Sequence, residues 1–267
     1  MLLIRAAAPE DYPAFARLFP QLHTDDPTPS EERFASALLA TTLVAEREGK
    51  VVGYGFYELL NSLCYVRNLV TDPATRRAGV GRALLSRMIE TGRSAGATRL
   101  CLNVKPDNAA AIALYESVGL RGVREGRALR LPWSLIDALP DAPPAPALPA
   151  EEQGAFEAHF AIEPGLLAVR RGRGGLVFGS RDAEGPTAVG CFDPAFPGGY
   201  PLRANGLAEL AGVLRAMRDA RIPIVDGGSW RESELQIFVE EPPELIEALL
   251  RAGARPILRV LHMAGPL

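Results

Sequence analysis

Apolar positions recur along the chain in two rhythms. Runs with strand-like alternation predict β-strands at "LLIRAA", "TTLVAEREG", "KVVGYGFYELL", "LCYVRNLVTD", "ATRLCLNV" and "REGRALRLPW", the second and third forming a hairpin that turns at Gly49–Lys50. Between them, apolar residues three and four apart predict helices. Val80, Leu84 and Met88 share one face with Leu85 and Ile89 beside them, and "NAAAIALYESVG" is a further helix ended by Gly119. "PEDYPAFARLFPQLH" and "PSEERFASALLA" are helical stretches, the second with Ser30 as N-cap and Glu31 and Glu32 near its positive end.

The stretch Leu139–Gly154, "LPDAPPAPALPAEEQG", breaks the pattern. Rich in Pro and Ala, it reads as a polyproline-like spacer, dividing the chain into 1–138, a linker at 139–153, and 154–267. The second part reads as strands at "GLLAVRRGRGGLVFGSRD" and "GPTAVGCFD", a helix at "NGLAELAGVLRAMRDAR", and strands at "PIVDG" and "SELQIFVEE". "PPELIEALLRAGARPILRVLHMAG" then runs helix, glycine, strand. Set beside "NAAAIALYESVGLRGVREGRALRL", it puts Gly253 where Gly119 stands, the mark of a diverged internal duplication.

Composition changes this picture little. At 267 residues, 48% hydrophobic and 23% charged, the chain can bury sizeable cores. The start has neither the basic region nor the apolar core of a signal peptide, which points to the cytoplasm, and no apolar run is of membrane length. Net charge is −3, about +2 over 1–139 and −5 beyond, so no basic excess points to nucleic acid. The densest basic cluster, "VRRGRGG" at Val169–Gly175, reads as a charged hairpin turn. Cys64, Cys101 and Cys191 are far apart and fit buried thiols. With His23, His159 and His262 equally scattered, no metal-ligand spacing appears.

Candidate chemistry begins at "RRAGVGR", Arg76–Arg82, ahead of the third helix. A helix start offers N–H groups without intrahelical acceptors and the positive end of the dipole; glycines let an anion approach, and arginines add charge. The ligand implied is a di- or polyphosphate. A P-loop would need a lysine, and Lys50 and Lys105 are the only two in the chain. A dinucleotide fingerprint lacks its third small residue at Leu84 and its acid near Thr98–Leu102. A plain glycine-containing turn is the alternative if the loop is taken alone.

The loop does not stand alone. Arg76, Gly79 and Gly81 after "LVTDP", followed by Asn108, Tyr115 and Gly119 in "NAAAIALYESVGL", resemble the two-part signature of the GNAT superfamily of acetyl-CoA-dependent N-acetyltransferases, over about residues 3–135. The resemblance implies an α/β (α+β) fold with a mixed, mostly antiparallel sheet flanked by helices, and the duplication extends it to two tandem lobes, the second degenerate. It implies that the N–H groups of Arg77, Ala78, Gly79, Val80, Gly81 and Arg82, with Arg76, hold the pyrophosphate of acetyl-CoA. Main-chain groups of Leu69, Val70 and Thr71 would pair with its pantetheine arm, and Asn108 would touch that arm. Arg77 departs from the pattern, since the family commonly has Gly there.

The implied reaction is attack of a primary amine on the acetyl carbonyl. Tyr115 is the candidate general acid, because a phenol with a pKa near 10 stays protonated at neutral pH and can donate to the departing sulfur. The family's strand glutamate falls near Tyr65, where "SLCYVRNLV" has no carboxylate. Glu58 on the preceding strand is the nearest acid, with a solvated edge glutamate as the competing reading. The second half has Gly206 without the arginine–glycine loop, and Leu249 where Tyr115 stands. Tyr200 and Arg203 are expected in a loop, either a plain turn or one that faces a ligand. The expectation is an N-acetyltransferase acting on a small-molecule or peptide amine; the alternatives are a non-catalytic CoA-binding sensor or interaction module, or transfer of another acyl group. Acidic residues Asp25, Asp26, Glu31 and Glu32 near the acceptor region could attract a cationic amine or simply be solvated. Oligomeric state is not legible.

Overall fold

The computed structural model describes residues 1–24, 26–224, 229–240 and 242–267, in two compact units: Met1–Val123 with His262–Leu267, and Arg124–Leu261. The first unit contains β1 (Leu2–Ala6), α1 (Tyr12–Leu18), α2 (Glu31–Arg33, continued by a wider π-type turn over Phe34–Leu38), β2 (Thr42–Arg47), β3 (Lys50–Leu60), β4 (Leu63–Thr71), α3 (Val80–Ser94), β5 (Arg99–Val104) and α4 (Ala109–Glu116). Its strands lie in the order β1-β2-β3-β4-β5. All neighbours are antiparallel except β4 and β5, which α3 joins as a parallel pair.

Local chemistry explains these elements. Glu48 and Gly49, at φ 51° and 74°, form the two-residue turn between β2 and β3, one position earlier than Gly49–Lys50. Ser30 caps α2 by accepting from the Arg33 N–H, as expected. Gly53 and Gly55 let α3 lie flat on β3. A Cβ at Gly55 would collide with the Met88 methyl, and one at Gly53 would stand 2.9 Å from Val80. The opposite face of the sheet carries an aromatic core of Phe15, Phe34 and Tyr54, with ring centroids 4.7 and 4.8 Å from Phe15.

Two strands, β6 (Arg121–Pro132) and β11 (Arg255–Pro266), cross the division between the units. The end of β11 belongs to the first unit, where the Leu267 N–H donates to the Thr98 carbonyl at 2.9 Å. The second unit adds α5 (Gln153–His159), α6 (Leu166–Gly172), β7 (Leu176–Arg181), β8 (Pro186–Asp193), β9 (Gly198–Ala204), α7 (Leu207–Asp219), α8 (Trp230–Ser233), β10 (Glu234–Val239) and α9 (Pro243–Ala252). Its strand order is β7-β8-β9-β10-β6, again antiparallel apart from the β9–β10 pair. Leu210, Leu214 and Met217 of α7 share its core with Leu129, Leu131, Leu235 and Ile237. Gly253 ends α9 at φ 111°, and Gly119 follows α4 at φ 93°.

Three local expectations are corrected. "GLLAVRRG" is not a strand, and the basic cluster is not a hairpin turn: Leu166–Gly172 is a helix. The buried Glu157 carboxylate accepts from the N–H groups of Gly165 and Leu167 at 2.7 and 2.8 Å, so a distant residue caps this helix. Tyr200 and Arg203 lie in β9 rather than in a loop, because β9 pairs with β8, Arg203 opposite Val189, and its first residues, Gly198 and Gly199, also pair with β10. The Pro/Ala-rich stretch is not a loose spacer. Ala145 and Leu148 are buried; the Ala145 N–H donates to Gly212 of α7 at 2.9 Å and the Leu148 N–H to Val177 of β7 at 2.8 Å, so its extended backbone packs on the helix and pairs at the edge of β7. The strand expected at Pro223–Gly227 falls largely outside the described residues. Among the described residues, no helix is long and apolar enough to cross a membrane.

Candidate active site

The site forms where β4 and β5 part. Their parallel register runs from Leu63 opposite Arg99 to Val66 opposite Leu102, while β4 continues to Thr71 and β5 to Val104. The register of β4 against β3 jumps from Tyr57–Val66 to Phe56–Asn68, so Arg67 is an extra residue on β4, and such a bulge bends a strand and increases its twist. Leu69, Val70 and Thr71 therefore lie on a strand held on one side by β3, at Gly55, Tyr54 and Gly53, and beyond the last β5 partner on the other.

The loop beyond β4 starts with a tight turn. Asp72 accepts from the Ala74 N–H at 3.0 Å and pairs with Arg17 at 2.6 Å, and the Arg17 guanidinium holds its carboxyl below the usual range. Arg76 reaches Gln21 at 3.2 Å. Arg77 sits at φ 67°, a left-handed conformation that costs a side-chain-bearing residue about 1–2 kcal/mol and explains why glycine suits this position. Gly79 adopts φ 80° as the N-cap of α3, with no side-chain cap. The N–H groups of Val80, Gly81 and Arg82 are then in the first turn, without intrahelical acceptors.

Gly81 is informative because the protein's own packing does not demand it. An added Cβ would lie 3.5 Å from Leu114 and 3.7 Å from Thr71, ordinary contact distances, and at Gly79 nothing lies within 4 Å. A glycine inside a helix costs up to ~1 kcal/mol against alanine, so this bare backbone fits an anion approaching the helix start. Arg76, Arg77 and Arg82 are exposed around it. The same contacts bring α3, the end of β4 and α4 together at one place. The glycine cradle, its arginines and the parted strands form a set of donors that fits a pyrophosphate with an extended amide-bearing arm.

Asn108 has a structural task at the start of α4. It caps α4, its side-chain oxygen accepting from the Ala111 N–H at 3.1 Å, and its amide NH₂ is not used by the cap. Tyr115 is buried in α4, and burial pushes its phenol up to about 12. Glu58 is 4% exposed, not a solvated edge residue, and stands opposite Tyr65 across the β3–β4 ladder. The Tyr65 hydroxyl accepts from Asn103 Nδ2 at 3.0 Å, and Asn103 Oδ1 lies 2.9 Å from His262 Nδ1. Neither Asn103 nor His262 is marked by a motif in the sequence; they are 159 positions apart, and no local spacing announces the contact. Of the acidic residues near the acceptor region, Glu31 and Glu32 are exposed on α2, and Asp25 lies outside the described residues. Cys64, Cys101 and Cys191 are buried free thiols.

The chain is similar to known proteins in sequence and in fold. The acetyltransferase (GNAT) family model matches residues 8–120. The chain is 38% identical over 73 residues to the [ribosomal protein bS18]-alanine N-acetyltransferase of Escherichia coli (strain K12), covering 27% of this chain and 49% of that one, so it spans about half that relative's length. It is 32% identical over 117 residues to the L-methionine sulfoximine/L-methionine sulfone acetyltransferase of Salmonella typhimurium, covering 38% of this chain and 68% of the relative. The solved structure of a tandem GNAT protein from the clavulanic acid biosynthesis pathway superimposes over 100% of this chain and 98% of its own, with a TM-score of 0.58 and 18% identity, a likeness of fold. The chain belongs to the acetyltransferase (GNAT) family, whose cosubstrate is acetyl-CoA.

Proposed function

We propose that the chain is an acetyl-CoA-dependent N-acetyltransferase acting on the primary amine of a small molecule or peptide, with its site in the first unit. The observation that carries this reading is the bare, arginine-flanked start of α3 beside the parting of β4 and β5. Backbone N–H groups from Arg77 to Arg82, with Arg76, bind the pyrophosphate. Leu69, Val70 and Thr71 pair with the pantetheine amides as a neighbouring strand would, which brings the thioester into the cleft.

Bound there, the cosubstrate supplies the activated acetyl group; the chain supplies orientation and proton transfer. Tyr115, kept neutral by burial, donates its proton to the departing thiolate. Glu58, directly or through Tyr65, takes the proton that the amine loses. Asn108 offers its amide NH₂ to the cofactor arm while its oxygen caps α4. In this reading 1–138 and 154–267 are the two duplicated lobes, the second without the cofactor chemistry.

The rival reading, a CoA-binding module without turnover, is favoured by the absence of a carboxylate at Tyr65. Steady-state release of CoA thiol in the presence of amino acids and short peptides separates the two. Amine-dependent release that falls about 100-fold in Tyr115→Phe supports the enzyme; binding of acetyl-CoA with no amine-dependent release supports the module.

A further inference from the structure

One row of polar side chains crosses the first unit at the level where β4 and β5 part. Tyr65 is in register with Glu58 on β3 and with Cys101 on β5, which puts Asn103, two residues further along β5, on the same face as both. His262, from the end of β11, completes the row. Both His262 and Tyr65 are buried, at 8% and 5% exposure. Polar side chains are costly to bury on strands that are otherwise Val, Leu and Cys, and a purely structural role could be filled by apolar residues of similar volume.

The hydrogen bonds fix a direction. Asn103 gives its amide hydrogen to the Tyr65 oxygen at 3.0 Å, so its carbonyl oxygen faces His262 at 2.9 Å. An amide oxygen only accepts, so His262 Nδ1 must carry the hydrogen. The imidazole thus sets which way the Asn103 amide points. The amide in turn occupies one acceptor position on Tyr65 and requires the phenol to direct its own proton away from Asn103. Without a donor at His262 the amide can turn over, and Tyr65 would then spend its proton on Asn103.

We propose that His262, supplied by the last strand of the second half of the sequence, is a positioning residue for the first unit's reaction: through Asn103 it holds the Tyr65 hydroxyl for the acceptor amine. This rests on the N-acetyltransferase reading above. The second half of the sequence thereby takes part in the reaction, because its last strand carries a residue that the first unit's site needs.

The test has two arms. With only three histidines in the chain, the ring ¹⁵N shifts of His262 can be assigned by comparison with a His262→Gln sample, and they report the tautomer without any turnover. The expected result is a hydrogen on Nδ1; a hydrogen on Nε2 alone would overturn the wiring. In steady-state kinetics, His262→Gln, which keeps a donor, should retain most of kcat. His262→Glu, an acceptor when ionised, and the isosteric Asn103→Asp, which removes the donor to Tyr65, should each lose about 10- to 100-fold in kcat with KM for acetyl-CoA unchanged. Tyr65→Phe should lose as much, and combining it with Asn103→Asp should cost no more. Additive losses, or a folded His262→Glu enzyme with full kcat, would overturn the proposal. A wild-type protein that binds acetyl-CoA and acetylates no amine would instead sink the functional reading, and the tautomer would still decide the wiring.

Discussion

The two parallel strand–helix–strand units, β4-α3-β5 and β9-α7-β10, use the same backbone plan for different ends. In the first, the helix starts from Gly79 in a left-handed conformation, with no side-chain cap and with Arg76, Arg77 and Arg82 exposed around it. In the second, α7 starts from Gly206 in extended backbone at φ −157°, and Glu209 in its first turn brings a carboxylate oxygen to within 2.7 Å of where a Gly206 Cβ would lie. The second helix therefore brings its own anion to the positive end of its dipole, and the first has no side-chain cap there, as the proposed pyrophosphate site requires. The partner helices differ alike: α4 has the Asn108 cap and buried Tyr115, whereas α9 begins at Pro242 without a side-chain cap and buries Leu249. One strand and helix order can carry different residues at its helix starts.

Substitutions at matched places sharpen this contrast. The largest effect is expected from Tyr115→Phe, which should lower kcat about 100-fold with little change in acetyl-CoA affinity, as read from initial rates. Because burial pushes Tyr115 up to about 12, its acid role should persist through the ordinary assay range. Its neutral phenol also favours the folded state: that contribution is complete below the unfolded value of about 10 and is lost as pH rises toward the folded one. Tyr115→Phe should therefore flatten the alkaline fall in Tm, which a melting series would show.

Next is Gly81→Ala. The new methyl fits among Leu114 and Thr71 and removes a helical glycine, so Tm should rise, a gain of about 0.5–1 kcal/mol. The same methyl stands in the cradle, so acetyl-CoA should bind about tenfold more weakly by calorimetry, about 1.4 kcal/mol. Unchanged affinity would exclude the cradle as the pyrophosphate site. In the second unit, Glu209→Gln should cost about 0.3–1 kcal/mol in urea unfolding and leave cofactor affinity alone, since it removes the charge at a helix start that serves only the fold. The smallest effect is at Arg77→Gly. Relief of the left-handed backbone should exceed the entropy cost of the new glycine by about 0.5 kcal/mol, raising the urea midpoint slightly.

How much was legible in the sequence follows the range of the interactions. The hairpin between β2 and β3, the Ser30 cap, the glycines after α4 and α9 and the start of α3 all depend on neighbours within a few positions, and all were readable. The helix at Leu166–Gly172 was not, because its cap comes from Glu157, and an apolar run with basic residues fits strand or helix equally. The Pro/Ala stretch misled for a related reason: composition reports that a segment is extended, not that a strand edge waits for it. In the site, the arginine–glycine loop proposed to hold the cofactor was legible as a motif, while the Tyr65–Asn103–His262 row depends on a strand that returns from the end of the chain.

Calorimetric titration of acetyl-CoA into the full chain, reading stoichiometry and affinity together, is the decisive measurement. One site per chain with micromolar affinity, about 8 kcal/mol, is expected, strongly weakened by changes at Gly81 and untouched by changes at Glu209. Two sites per chain would contradict the difference drawn between α3 and α7, and no binding at millimolar cofactor would contradict the active site itself.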